Sequence, residues 1–141
     1  MRRQLIGLAC VLLVVSRAEG HALFPGQQVV YTAGERGIAT FQTANETNQA
    51  IEYQVELFDY DTWVPTRHAV ASLDRIAIAP MRPEQGASGI RRFTVMVDLD
   101  GMRERTIRVC TKSVAKRGLL QATTTAFNTR VCSKLTIRRV G

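Results

Sequence analysis

The sequence predicts an all-β protein, a seven-stranded immunoglobulin-like β-sandwich in a single domain. Three observations carry this prediction: short stretches of alternating apolar and polar residues, turn residues at intervals of about ten positions, and no run with a helical period. The alternation is clearest between Ile51 and Leu57, where every second residue is apolar and the residues between are Glu or Gln. Such alternation indicates a strand with one buried face and one face in water.

Turn-forming residues separate the seven predicted strands. Ala33-Gly34 ends the first strand, and the polar cluster Asn45–Asn48 ends the second. Pro80 stops the fourth strand and Asp100-Gly101 turns the chain after the fifth, because proline cannot donate to a strand ladder and glycine favours turns. The strands are predicted at Gln27–Thr32, Ile38–Ala44, Ile51–Leu57, Ile76–Ile78, Phe93–Leu99, Thr106–Cys110 and Arg130–Val140.

The start of the chain has the three-part organisation of a secretory signal peptide. A basic beginning is followed by an apolar run from Leu5 to Val15 and then by small residues. An apolar run of this length is too short to span a bilayer comfortably. We therefore predict a signal peptide over residues 1–22, cleaved after Gly20 or Ala22, and one exported β-sandwich domain over residues 23–141.

The cysteines predict one disulfide bond. Cys10 lies in the predicted signal peptide, so the exported domain keeps only Cys110 and Cys132. An even pair in an oxidising compartment is expected to be bonded. The bond would join the last two strands on the polar side of their hairpin, across the long connection Thr111–Thr129, and would contribute about 3 kcal/mol. It would serve as a staple for a small domain, or would also hold the last strand in place for a partner.

The composition argues against several functions. The chain is basic, with 19 Lys and Arg against 12 Asp and Glu, but basic and aromatic residues do not interleave as they do in nucleic-acid-binding surfaces. No second apolar run follows the signal, so we expect no membrane insertion after its cleavage. No catalytic motif, phosphate-binding loop or CxxC pair is present, so we expect neither enzymatic activity nor a cofactor.

The two histidines allow one metal hypothesis. If cleavage follows Gly20, the exported chain begins with His21, whose free amine and imidazole can chelate copper together. His68 is the only other histidine and would supply a third nitrogen. The alternative is that His21 is a signal-peptide remnant or part of a terminus without a metal role.

Basic residues gather on one face of the final predicted strand. Lys134 and Arg138 share that face, and Arg130 and Arg108 lie nearby on the same hairpin. A row of charges is typical of an exposed sheet edge that deters pairing with other chains. The functional alternative is an anion site that holds a peptide carboxylate beside a strand edge accepting another chain.

The succession of strands along the chain has a characteristic order. Over residues 26–58, a short strand and a glycine-containing turn precede a second strand ending in Asn45 and an alternating third strand. A strand stopped by Pro80 follows later, and the final strand contains Ser133-Lys134-Leu135. This succession resembles the N-terminal immunoglobulin-like domain of the periplasmic pilus-assembly chaperones, the PapD-like family, over nearly all of the exported chain.

The resemblance implies a site for the C-terminal carboxylate of a pilus subunit. In the family, an arginine on the first strand and a lysine on the last strand bind that carboxylate. Lys134 matches the lysine, whereas Gln28 stands where the arginine is expected and brings a hydrogen bond but no charge. Arg138 is a further cation expected at this site. The apolar residues that the chain would donate to a subunit are Phe127, Val131 and Leu135.

These features lead to a functional hypothesis. We expect a periplasmic or secreted bacterial protein that binds pilin-like subunits by adding a strand along its terminal hairpin. The Cys110–Cys132 bridge would keep that hairpin rigid, as in the long-loop class of these chaperones. The family's second domain is not in the sequence. The alternative is a structural or adhesive pilus component, or another exported binding module, on the same fold.

Overall fold

Two facing β-sheets form the molecule in a computed structural model that describes residues 21–114 and 129–141. The strand order is β1-β3-β7-β5 in the four-stranded sheet and β2-β9-β8-β4-β6 in the five-stranded sheet. The predicted all-β sandwich is confirmed. The strands are β1 (His21–Phe24), β2 (Gln27–Thr32), β3 (Arg36–Asn45), β4 (Ile51–Asp59), β5 (Ala69–Ala71), β6 (Arg75–Ile78), β7 (Ile90–Asp98), β8 (Glu104–Val114) and β9 (Arg130–Arg139), with one short 3₁₀ turn at Pro83–Gln85.

The described residues contain nine strands, so the predicted number of seven is wrong. All seven predicted strands are present, and the two additional ones are β1 and β5. The first two residues of β1, His21 and Ala22, fall within the predicted signal peptide. β5 has only three residues, which is too short for an alternating pattern to be recognised.

The beginning of the domain crosses from one sheet to the other. β1 pairs antiparallel with β3, and β2 pairs parallel with β9. The crossing lies at Phe24-Pro25, whose peptide bond is cis. Two hydrogen bonds hold the crossing against β9: Ser133 Oγ donates to the Pro25 carbonyl (2.6 Å), and the Lys134 amide donates to the Gly26 carbonyl (3.0 Å). One short stretch of chain therefore ties both sheets together.

The core lies between the two sheets. Phe41 of β3 and Phe93 of β7 are direct partners in the ladder, and their ring centroids lie 5.7 Å apart. Gly37 faces Ile137 so closely that an added Cβ would lie 2.6 Å from Ile137 Cγ2, which explains why no side chain stands there. The buried apolar cluster comprises Leu23, Ala39, Phe41, Tyr53, Ile76, Ile78, Phe93, Val95, Val97, Leu99, Ile107, Val109, Leu135 and Ile137.

The predicted disulfide bond between Cys110 and Cys132 is confirmed. The two residues are direct partners in the β8–β9 ladder, and their sulfur atoms are 1.99 Å apart. Both side chains lie on the outer face of the five-stranded sheet, because the alternate residues Val109 and Leu135 point into the core. The bond therefore holds the first half of β9 against β8.

The predicted signal peptide falls almost entirely outside the described residues. Only His21 and Ala22 of the predicted residues 1–22 are described, and both belong to β1. Cleavage after Gly20 would keep β1 whole, whereas cleavage after Ala22 would shorten it by half. The boundary stays a prediction. Within residues 21–114 and 129–141, no helix is long and apolar enough to cross a membrane.

Candidate functional site

The first half of β9 is paired on one side only. β2 begins opposite Lys134, so no described strand pairs with Arg130–Ser133 on the side away from β8. The Ser113 amide donates to the Thr129 carbonyl, which fixes the alternation of this antiparallel ladder. It follows that Arg130 and Cys132 direct their own N–H and C=O groups away from β8. We call Arg130–Ser133 the open edge.

Over the rest of its length, β9 is an interior strand. From Lys134 to Arg139 it lies between β2 and β8. The interpretation of its charges as those of an exposed sheet edge is therefore wrong for Lys134 and Arg138. The edge position on this side of the five-stranded sheet belongs to β2.

The structure does not bring Gln28 and Lys134 together. In the parallel β2–β9 ladder, Gln27 is the partner of Lys134 and Gln28 is the partner of Leu135. Because paired residues share a face of the sheet, Gln28 and Lys134 point to opposite faces. Gln28 Oε1 is buried without a hydrogen-bond partner among the described residues. Gln28 is therefore not positioned to share a ligand with Lys134 on the outer face of the sheet.

The remaining predicted site residues differ in accessibility. Leu135 is fully buried in the core, so its side chain is not free for a partner. Val131 is half-buried and packs against that core. Arg138 Nε donates to Glu104 (2.6 Å), and this carboxylate raises the pKa of Arg138 above its ordinary value. Phe127 lies outside the described residues.

Arg108 and Lys134 form a pair of cations on the outer face of the five-stranded sheet. They are direct cross-strand partners, with Phe58 and Gln27 as their outer neighbours in the same row. Arg108 Nε donates to the Tyr60 carbonyl at 2.7 Å. We call Arg108 and Lys134 the cation pair.

Two aromatic side chains frame the cation pair. The guanidinium carbon of Arg108 lies 4.0 Å from the ring centroid of Tyr60 and 4.1 Å from that of Trp63. Lys134 Nζ lies 4.9 Å from the Tyr60 ring. These distances are typical of cation–π contacts. Neither aromatic residue was predicted as part of a site, although Tyr60 directly follows β4 and β4 pairs with β8, the strand that carries Arg108.

The loop that carries Trp63 is fixed by backbone hydrogen bonds. The Asp59 amide donates to the Val64 carbonyl (2.8 Å), and the Trp63 amide donates to the Asp59 carbonyl (3.2 Å). Trp63 has a φ of 57°, a region that bulky side chains rarely adopt. The residue as a whole is 46% exposed. Residues in such strained backbone conformations persist only where their surroundings hold them, and they cluster at functional sites.

Only some of the cations on the outer face of the five-stranded sheet have a carboxylate partner among the described residues. Arg130 is paired with Glu56 (2.8 Å) and Arg138 with Glu104. Arg108 and Lys134 have no carboxylate partner among the described residues. The cation pair is therefore a local concentration of positive charge next to the open edge.

The two histidines of the copper hypothesis lie far apart. His21 pairs with Asn45 at one end of β3, whereas His68 lies at the opposite end, 3.8 Å from the Asp100 carboxylate. His21 is engaged by Thr129 Oγ1 (2.8 Å) and by the Thr111 carbonyl (3.0 Å). No group of three or more potential metal ligands occurs within the described part of the chain.

Comparisons with known proteins identify the fold. No family model and no curated protein matches the sequence. Among solved structures, the E. coli chaperone DraB is 17% identical with a TM-score of 0.63, covering 85% of this chain and 55% of its own. The structure of the Salmonella enterica SafA pilin in complex with the SafB chaperone is 20% identical with a TM-score of 0.62, covering 85% of this chain and 54% of the matched one.

A PapD-like domain of human CEP192 is also similar, with 6% identity, a TM-score of 0.61, and coverage of 99% of this chain and 98% of that domain. The chain has a PapD-like immunoglobulin fold. It spans little more than half the length of the chaperone structures that it matches. At these identities the likeness concerns the PapD-like fold, and function has to be argued from the site.

Proposed function

We propose that the chain is a periplasmic, chaperone-like protein that binds fimbrial or pilus subunits by β-strand addition at the open edge. The observation that supports this proposal most directly is that Arg130 and Cys132 direct their backbone N–H and C=O groups away from β8, to a side where no described strand pairs with them. Such groups accept an additional strand through main-chain hydrogen bonds. The PapD-like fold shared with the chaperones DraB and SafB supports it further. No catalytic role and no nucleic-acid partner are part of the proposal.

The position of β2 sets where an added strand must end. A strand running parallel to β9 along Arg130–Ser133 would meet Gly26 and Gln27, which already occupy the place opposite Lys134. A chain terminus fits there, because a continuing strand would collide with β2. Its carboxylate would lie beside the Lys134 ammonium, which has no carboxylate partner in the described residues.

Replacing Arg130 with proline tests the main-chain bonds. Arg130 directs its N–H away from β8 and is the first residue of β9, a position where proline is tolerated. Arg130→Pro should therefore keep the fold while removing one donor of the open edge. Arg130→Ala is the matched control, because it also loses the ion pair with Glu56 but keeps the N–H.

The measurement is recovery of a bound subunit with the tagged protein from the periplasm of its own cells. Wild type and Arg130→Ala should recover one pilin-like polypeptide in a 1:1 ratio, and the Cys132 amide should be protected from hydrogen exchange in that complex. Arg130→Pro should lose at least tenfold of the subunit. Equal recovery by Arg130→Pro and Arg130→Ala would count against strand addition.

An exported binding module without chaperone activity is the second candidate. The half-exposed Trp63 over Arg108 favours it, because aromatic and cationic side chains are enriched at protein-binding surfaces. A ligand held by this face alone should be lost in Trp63→Ala and retained in Arg130→Pro. The opposite pattern supports strand addition.

A further inference from the structure

The outer face of the four-stranded sheet carries a row of apolar side chains. Ile38 of β3 and Val70 of β5 are both ladder partners of Met96 in β7, so the three side chains lie in one line across the sheet. They point away from the core, because the alternate residues Ala39 and Val95 are buried in it. Ile38 is 60% exposed and Val70 is 58% exposed. We call Ile38, Met96 and Val70 the apolar row.

The two outer faces of the sandwich differ in charge. A sheet face in water normally carries polar side chains, and the outer face of the five-stranded sheet follows this rule. The charged residues on that face are Glu52, Glu56, Arg75, Glu104, Arg108, Lys112, Arg130, Lys134 and Arg138. The strands of the four-stranded sheet place only Arg36, Arg92 and Asp98 on their outer face. Neighbouring exposed apolar residues on a face with so few charges are typical of an interaction surface.

The rows on either side of the apolar row are polar and symmetric in size. Arg36 and Asp98 are ladder partners in one of them, with Arg36 Nε 3.3 Å from Asp98 Oδ2. Thr40 and Thr94 are partners in the other and bring hydroxyl groups without charge. In each of these rows, β3 and β7 carry side chains that can contact each other favourably.

A second copy of the chain fits this pattern through a two-fold axis that runs along the strands, between β3 and β7. Such an axis places β3 of each copy over β7 of the other, at the same level along the strands. Ile38 then lies over Met96 of the other copy, and Thr40 lies over Thr94. Arg36 lies over Asp98 of the other copy and the reverse, so the two ion pairs form a square of alternating charges. This face is therefore complementary to itself in both shape class and charge.

The size of the face predicts a weak dimer. One strand residue covers about 16 Å² of a sheet, because strands lie about 4.8 Å apart and rise about 3.3 Å per residue. The four strands therefore present about 400 Å² in each copy, or about 800 Å² in the two copies together. Stable protein interfaces bury about 1,200 Å² or more. We therefore expect association at about 10–100 µM rather than at nanomolar concentration.

We propose that the chain forms a homodimer through the outer face of its four-stranded sheet, with the apolar rows of the two copies packed against each other. This surface is separate from the open edge of β9, which belongs to the other sheet. Each copy in the dimer keeps its open edge accessible. The dimer is independent of strand addition and does not rest on the proposed function.

Sedimentation equilibrium of the purified exported protein between about 5 and 500 µM measures the association. Wild type should change from monomer to dimer over this range. Ile38→Glu should weaken the dimer at least tenfold, because it places a charge inside the apolar row. Val29→Glu is the matched control, since it makes a similar change at an exposed strand residue of the five-stranded sheet and should keep the dimer.

Charge exchange between two preparations tests how the copies are arranged. Arg36→Glu alone and Asp98→Arg alone should each weaken self-association, because each variant brings like charges together across the axis. An equimolar mixture of the two variants should associate at least tenfold more tightly than either variant alone, because every cation then faces a carboxylate of the other copy. Circular dichroism verifies that each variant is folded.

The outcomes separate this proposal from strand addition. A wild type that stays monomeric over the whole range overturns the dimer, and so does equal association of Ile38→Glu and Val29→Glu. A mixture that associates no better than its single variants overturns the two-fold arrangement. Arg130→Pro should dimerise as wild type does, whatever its effect on subunit recovery, and loss of the dimer in that variant would place the contact at the open edge instead.

Discussion

At the scale of single residues, His21 is part of the sandwich, and both of its ring nitrogens make hydrogen bonds. The Thr111 carbonyl can only accept a hydrogen bond, so Nε2 carries the proton and Nδ1 accepts from Thr129. The ring also packs 4.6 Å from that of Tyr53. Burial lowers the pKa of His21 below 6.5, and the bond with Thr111 opposes part of this shift.

The pKa of His21 leads to a prediction for the pH dependence of stability. In the unfolded chain the imidazole gains its proton near pH 6.5, whereas in the folded protein it does so only at lower pH. The free energy of unfolding should therefore be greatest above pH 6.5 and fall as the pH drops below that value. Urea denaturation between pH 8 and 5.5 measures it. His21→Gln should show a weaker dependence, and an identical slope in both proteins would contradict the assignment.

Tyr53 provides a second prediction at this scale. Its side chain is fully buried, and its hydroxyl has no hydrogen-bond partner among the described residues. Burial, with a smaller contribution from Glu46, raises its pKa to about 12. Tyr53→Phe should keep the free energy of unfolding or raise it by up to about 1 kcal/mol, because it removes an unpaired polar atom. Chemical denaturation measures this, with the exposed Tyr31→Phe as control. A decrease in the free energy of unfolding of more than about 1 kcal/mol would show that the Tyr53 hydroxyl makes a stabilising hydrogen bond, and would contradict this prediction.

At the scale of strands, the disulfide bond stabilises β9 where β2 does not reach it. Cys110 and Cys132 are 22 residues apart in sequence. Cys110→Ala/Cys132→Ala should lower the free energy of unfolding by about 3 kcal/mol, because the unfolded chain gains freedom. Denaturation with and without a reducing agent checks this. The reducing agent should destabilise the wild type alone, and a difference below about 1 kcal/mol between the two proteins would contradict the expectation.

The close approach of β3 and β9 gives a further prediction at this scale. Gly37→Ala would place a methyl group 2.6 Å from Ile137 Cγ2, in a packed core. The substitution should cost about 1–3 kcal/mol of stability through overpacking. A double-mutant cycle with Ile137→Ala provides the control, because the double variant should lose less than the sum of the two single losses. Strict additivity would mean that the two positions do not compete for space.

The strands that could be predicted are those that bury one face. β4 and β7 alternate over most of their length, so their pattern was visible in the sequence. The register between β2 and β9 could not be predicted, because a shift of one residue exchanges the two faces and the family pattern does not resolve it. In the structure, Gln27 and not Gln28 is the ladder partner of Lys134. The contact between Trp63 and Arg108 could not be predicted for another reason: no sequence rule places a tryptophan at positive φ.

At the scale of the whole molecule, the sandwich is complete within its described residues. Both sheets bury their inner faces against each other, and β9 occupies a place in the chain's own five-stranded sheet. A pilus subunit that needs a donated strand would lack such a strand. The molecule is therefore suited to give a strand edge to a partner, which agrees with the proposed function and argues against an incomplete structural component.

The crossing of the first strands between sheets has a mechanical consequence. β2 and β9 run parallel from Gln27↔Lys134 to Thr32↔Arg139. Tension applied at residues 21 and 141 pulls these two strands in opposite directions along their common axis. All the bonds between them then carry the load at once, rather than breaking one after another. The molecule should resist stretching between residues 21 and 141 far better than pulling applied across β8 and β9, and single-molecule force measurements would compare the two directions.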